Sequence, residues 1–250
     1  FALTWAVPYR VECMSITSAF AFGYDPAFCE PGCKPTRPSH YFNSRASLPF
    51  AQLGMRPAMA IAATSFEHAR ELIDRGVESD GKFPTGTAYL LSTSDPARNV
   101  RSAAYQTARR VIDGRIPVSI LKQDSLEGAS DVLFYFTGKH AVQGLQTLRF
   151  VPGAIADHLT SFGGNLSRQD GGQMSALRWL EAGATGSYGT VVEPCNLLQK
   201  FPDPARVTAS YLKGDTLIEA YWKSVAMPGQ GIFIGEPLAA PFRRQASAPE

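Results

Sequence analysis

Asp131-Val132-Leu133-Phe134-Tyr135-Phe136 is, after its first residue, an unbroken apolar run. It shows no alternation of apolar and polar positions, and a strand with that pattern is buried on both faces. Such a strand belongs inside a parallel sheet with helices packed above and below it. Outward from it, residues 153–159 read as a second strand of the same kind, 186–192 as a third and 231–235 as a last core strand. Upstream, 87–93 and 117–121 read as strands, the apolar run 55–63 as another, and 2–11 as the first. Helical spacing falls between them. Residues 65–75 have Ser65 as cap and Gly76 as stop, and 95–112 carry Pro96 in the first turn. Residues 172–182 end at Gly183, and 204–210 and 215–224 are two further helical stretches. Strands alternating with helices predict βαβ units: a three-layer α/β fold, its mostly parallel sheet covered by helices on both faces.

The chain has 250 residues, with 24 basic and 22 acidic side chains, so it has no electrostatic footprint for nucleic acid. No apolar run reaches the roughly 18 residues of a membrane span. Residues 1–244 are expected to form one α/β domain and 245–250 a disordered tail. Residues 13–49 are punctuated by proline and glycine, yet they carry Phe20, Phe22, Tyr24, Phe28, Tyr41 and Phe42. Those rings need burial, so the stretch is expected to be an ordered excursion near the N-terminus and not a linker. The chain opens on Phe1 inside a strand-like run, which predicts an upstream segment of the same precursor.

In parallel α/β sheets ligands bind beyond the carboxyl ends of the strands. The loops expected there are 8–13, 138–140, 160–164, 189–195 and 235–241. Thr160-Ser161-Phe162-Gly163-Gly164 places a hydroxyl before two glycines. In a sharp turn Ser161 would be exposed, and the Gly163 and Gly164 amides would be free for an oxyanion. The bland alternative is a turn in which glycine supplies positive φ. His140 follows the neighbouring strand, so Ser161 as nucleophile and His140 as base form the candidate catalytic pair. Asp157 and His158 sit inside a strand, one toward each face, either as metal ligands or as hydrogen-bonded internal groups. Glu193-Pro194 and Glu236-Pro237 repeat one dipeptide after two strands. Asp157, His158, Glu193 and Glu236 are therefore the candidate metal ligands, and a divalent cation is the cofactor that such a set implies. Asp95, Arg98 and Arg101 cluster early in one helix, as a local ion pair or as a grip for an anion.

Cys13, Cys29, Cys33 and Cys195 are an even set, which favours two disulfides in an exported chain. Placing Cys13 and Cys195 beyond strand ends favours Cys13–Cys195, leaving Cys29–Cys33 as a local staple. The competitor is a metal site built from Cys13, Cys29, Cys33 and a fourth ligand.

The stretches 3–11, 150–164 (FVPGAIADHLTSFGG), 181–194 (EAGATGSYGTVVEP) and 235–242 (GEPLAAPF) resemble an uncharacterised bacterial family found in genomes with the exosortase protein-sorting system. That resemblance covers nearly the whole chain and implies an exported protein, extracytoplasmic in location, but no activity. A looser similarity at the level of fold is to gingipain and caspase-like cysteine peptidases, in which a His follows one core strand and a Cys the next. Here those positions fall near His140 and Ser161. The usual His-Gly pair is Lys139-His140-Ala141, and Ser161 stands in place of Cys. The leading expectation is a binding or assembly component with protein partners in the cell envelope or an extracellular complex. The alternatives are a Ser/His hydrolase and a metal-binding protein.

Overall fold

Residues 10–30, 32–167 and 172–244 are described by the computed structural model of the chain. The expected first strand lies outside them except for its last two residues, and so does the tail 245–250. Arg10–Val11 (β1) pairs antiparallel with Met14–Ser15 (β2) in a minimal hairpin. The main sheet has six strands: β3 (Thr87–Ser92), β4 (Val118–Lys122), β5 (Val132–Thr137), β6 (Phe150–His158), β7 (Gly186–Thr190) and β8 (Gly231–Gly235). Their order is β4-β3-β5-β6-β7-β8. Every pairing is parallel except the last, in which β8 runs antiparallel to β7.

The all-apolar run behaves as its pattern requires, since every residue of β5 is buried. Phe134 and Phe136 point to one face, into a core with Tyr105, Tyr211 and Tyr221. Tyr135 points to the other and meets Trp179 edge-on, with ring centroids 4.9 Å apart. The first face is covered by α4 (Tyr105–Ile112), α6 (Pro204–Leu212) and α7 (Leu217–Ser224). The second is covered by α3 (Phe66–Ser79) and α5 (Leu177–Glu181), through Leu72, Leu177, Trp179 and Leu180. The fold is thus a three-layer α/β sandwich.

The reversal of β8 follows from counting traverses. One helix between strands returns the chain to the starting edge and gives a parallel pair. Two helices, α6 and α7, lie between β7 and β8, so the chain arrives at the carboxyl edge again and must run back down. Gly214, at φ 97°, makes the tight link between them. A capping box of Thr216 and Glu219 then starts α7.

Four elements differ from the sequence expectation. Residues 55–63 form no strand; Ala60 alone bridges Ile234, donating to Phe233 O at 2.9 Å and accepting from Gly235 N at 2.9 Å. Pro57 lacks a donor for a longer ladder. Gly76 does not stop α3, which runs on to Ser79. A Cβ at Gly76 would lie 2.7 Å from Glu236 Cγ, so glycine is there for packing. The helix expected at 95–112 opens as a 3-10 turn over Asn99–Ala104, and α4 begins only at Tyr105. The helix expected at 172–182 shrinks to α5, because the preceding amides bond elsewhere: Met174 N to His140 O (2.7 Å) and Ala176 N to Gly163 O (2.7 Å).

The excursion does hold buried rings, Phe28 and Tyr41, and carries its own helix α1 (Ile16–Phe22); α2 (Pro49–Leu53) follows it. Its cysteine pairing differs from the expected one. Cys13 bonds Cys29 and Cys33 bonds Cys195, with Cα separations of 5.4 and 5.1 Å. Cys13 lies in the β1–β2 turn, not beyond a central strand, and packs with Met14, Phe28 and Cys29 in one cluster. Cys33, past the turn at Gly32 (φ 79°), is left to reach Cys195. All four cysteines are therefore bridged, and none is available to a metal.

Candidate functional site

The strand order reverses between β3 and β5, and in open α/β sheets the crevice at such a point is the usual ligand site. Here it is closed. A Cβ on Gly138 would stand 1.9 Å from Arg98 O, so the backbone after β3 lies directly on the backbone after β5. Thr93 Oγ1 donates to Gly138 O at 2.5 Å and seals the contact. Outside the seal, the Asp124 carboxylate accepts from Ser94 N and Ser94 Oγ (both 2.7 Å) and pairs with Lys139. Lys139, and then Ser94, pull the Asp124 pKa down to about 2.

The polar surface lies one step along the edge, over β6 and β7. Thr160 Oγ1 donates to Gln173 Oε1 at 2.6 Å and accepts from Arg98 Nε at 3.1 Å. The same Gln173 oxygen accepts Phe162 N at 2.9 Å. Arg98 also pairs with Asp95 at 3.0 Å, the local ion pair of the bland reading. Ser161 Oγ donates to Glu193 Oε1 at 3.1 Å, and that oxygen also accepts Cys195 N at 2.8 Å. Cys195 adopts φ 51°, and its disulfide to Cys33 ties the turn to the excursion. Lys200 Nζ to Gly32 O (3.2 Å) and Gln230 Nε2 to Glu30 O (2.7 Å) lay the excursion along this edge.

One of the two amides expected to be free at Gly163-Gly164 is occupied, and the turn does not use positive φ. Gly164 N is committed to Thr190 O at 2.8 Å. Neither glycine has positive φ. Instead the two loops touch backbone to backbone: a Cβ on Gly164 would lie 2.6 Å from Gly189 O, and one on Gly189 would lie 2.3 Å from Gly163 C. Gly164 and Gly189 are glycine because of this close approach.

His140 is exposed, and its carbonyl accepts Met174 N. Among the described residues no hydrogen bond joins its ring to Ser161, whose hydroxyl is held by Glu193.

Asp157 and His158 do point to opposite faces, and both are bonded to protein. Asp157 Oδ1 lies 2.5 Å from Arg101 Nη1, with both side chains at most 2% exposed. Burial pushes the Asp157 carboxyl up while Arg101 pulls it back. Arg101 also donates to Thr137 O at 2.8 Å, so it locks β5 to β6 from beneath and is withdrawn from any ligand. His158 Nδ1 accepts from Trp179 Nε1 at 2.9 Å, which leaves Nε2–H to donate to Met174 O at 3.0 Å. Burial lowers its pKa to about 3, so the ring is neutral. Trp179 and Gln173 were not legible as partners, although a buried indole N–H usually finds an acceptor nearby.

Glu236 lies at the other end of the sheet. Because β8 is antiparallel, Gly235 sits opposite Gly186, at the start of β7. The loop 235–241 therefore leaves the carboxyl edge altogether, contrary to the sequence expectation. Glu236 Oε1 accepts Leu238 N at 3.1 Å, and burial raises its pKa. The four proposed metal ligands are thus spread over separate places. Among the described residues, no three His, Cys, Asp or Glu side chains converge on a metal position.

Comparison of the chain with protein-family models, with curated proteins and with solved structures returned no match.

Proposed function

We propose that the chain is an exported binding or assembly component of an envelope or extracellular complex, its contact surface being the disulfide-stapled excursion beside the carboxyl edge. Two disulfides support an oxidising location, and no described helix is long and apolar enough to cross a membrane. The observation that carries the reading is exposed apolar surface on this segment and on α2 directly after it. Phe20 is 67% and Phe50 55% exposed, with Tyr24 and Leu48 also outside. Arg56 stacks on Phe50 at 3.8 Å, and its amide bonds Ala21 O, beside Phe20. Aromatic and arginine side chains held rigidly at a surface are the material of interface hot spots.

The scaffold reading is caspase- or gingipain-like, supported by loops after the adjacent strands β5 and β6 that carry His140 and Ser161. On that scaffold the hydrolase has lost its working parts. Glu193 holds the serine hydroxyl as an acceptor, and Thr190 O occupies the Gly164 amide. The exosortase-associated resemblance agrees with export.

The test is affinity capture from the envelope and medium fractions of the source cells. One specific partner should be retained by wild type and by Ser161→Ala, and lost with Phe20→Ser/Phe50→Ser. A serine-reactive phosphonate should label nothing; labelling that disappears in Ser161→Ala would replace the binding reading with the hydrolase.

A further inference from the structure

A second feature is a cleft of about 670 Å³ between residues 43–45, the outer face of α4 and the outer face of α6. That volume falls within the range of small-molecule sites, roughly 300–1,000 Å³. Four cationic side chains line it, Arg45, Arg206, Lys213 and Lys223, against two carboxylates, Asp203 and Asp215. The cleft's excess of two positive charges equals that of the whole chain, with its 24 basic and 22 acidic residues.

Both carboxylates are already engaged within the walls. Asp203 caps α6, accepting Ala205 N at 2.8 Å and Arg206 N at 3.2 Å. Asp215 takes the Ser210 hydroxyl and the Lys223 ammonium, the latter at 2.9 Å. Arg45 and Lys213 are exposed and have no ion-pair partner among the described residues. The walls are also pre-set. Arg206 lies over the Phe42 ring at 4.8 Å, and Asn43 N bonds Lys223 O at 2.9 Å, which pins the loop carrying Arg45. Fixed guanidinium and ammonium groups around a concave polar surface recognise phosphate and carboxylate oxygens.

We infer that this cleft binds a small polyanion carrying two or more phosphate or carboxylate groups. Isothermal titration of the whole chain with inorganic pyrophosphate and, separately, with citrate tests it and distinguishes the two chemistries. At least one of them should bind at physiological salt, with affinity weakened about tenfold or more in Arg45→Ala/Lys213→Ala. Pyrophosphate alone binding assigns a phosphate ligand, and citrate alone a carboxylate. The control Arg70→Ala/Arg149→Ala removes the same charge elsewhere and should bind as wild type. No binding of either anion up to about 1 mM, a Kd worth only about 4 kcal/mol, overturns the inference. So does an equal loss in the control pair, or none in the cleft pair. Circular dichroism of both variants should match wild type, because none of the four side chains is buried.

Discussion

Glu193-Pro194 and Glu236-Pro237 are the same dipeptide after two consecutive strands, and the fold puts them at opposite ends of the sheet. Glu193 is part-exposed. Its carboxylate joins two separate loops, taking the Ser161 hydroxyl and the Cys195 amide. Glu236 is 7% exposed and serves its own turn at Leu238 while filling the space left by Gly76. One is a tie at a polar edge, fastened to the excursion by a disulfide; the other is a wedge in the packing beneath α3. A repeated motif is a repeated site only when strand direction repeats with it, and here two helices between β7 and β8 reverse the direction.

The contrast can be broken at several points, beginning with the staple that only the Glu193 end possesses. The Cys33–Cys195 bridge spans 162 residues of sequence and Cys13–Cys29 spans 16. Loop-closure entropy gives about 4–5 kcal/mol for removing the long bridge and about 3 kcal/mol for the short one. Denaturant unfolding of Cys33→Ala/Cys195→Ala against Cys13→Ala/Cys29→Ala checks the order, and non-reducing peptide mapping checks the pairing.

The two ends should also respond to pH with opposite sign. His158, at the carboxyl end of β6, has its pKa lowered to about 3 in the folded chain from 6.5. The unfolded chain therefore takes up a proton first as pH falls. This stabilisation is complete above about pH 6.5 and is lost progressively towards pH 3, on the order of 5 kcal/mol in total. His158→Gln should flatten that part of the stability profile. Glu236 is raised instead, so the folded chain holds its proton longer, and stability falls as pH rises from 4.5 through its folded pKa. Glu236→Gln should remove that decline and be neutral or stabilising at pH 7. Urea midpoints across pH 3–8 read both effects.

Packing distinguishes the ends next. Gly189→Ala drives a Cβ into rigid backbone and should cost about 3 kcal/mol. Gly76→Ala meets only the flexible Glu236 side chain and should cost about 1–2 kcal/mol. The smallest change belongs to the serine. Ser161→Ala removes one part-exposed hydrogen bond and should shift stability by about 1 kcal/mol or less, without loss of partner capture.

Much of the fold was legible because its signal is local. The unalternating run at 131–136 specified a strand buried on both faces, and β5 is that strand. Ser65 capping α3, and the two helical stretches before 231, were likewise readable from neighbouring residues. Those two stretches between β7 and β8 also carry the reversal of β8, since two traverses bring the chain back to the same edge. The site was less legible because its relations join residues distant in the chain. Ser161 meets Glu193, Arg98 meets Thr160, Arg101 meets Asp157 and Trp179 meets His158, and periodicity carries no information about such pairs. The glycines show the same limit. Gly164 reads as an oxyanion donor and Gly76 as a helix stop, but each is glycine because another segment passes within contact distance. Short-range rules of capping, patterning and turn chemistry act within a few residues, and the sequence by itself determined the elements and their layering. Which loops meet, which cysteines pair and which carboxylates reach the polar edge depend on strand direction and backbone approach over separations from 16 to 162 residues of chain, and only the tertiary structure decided them.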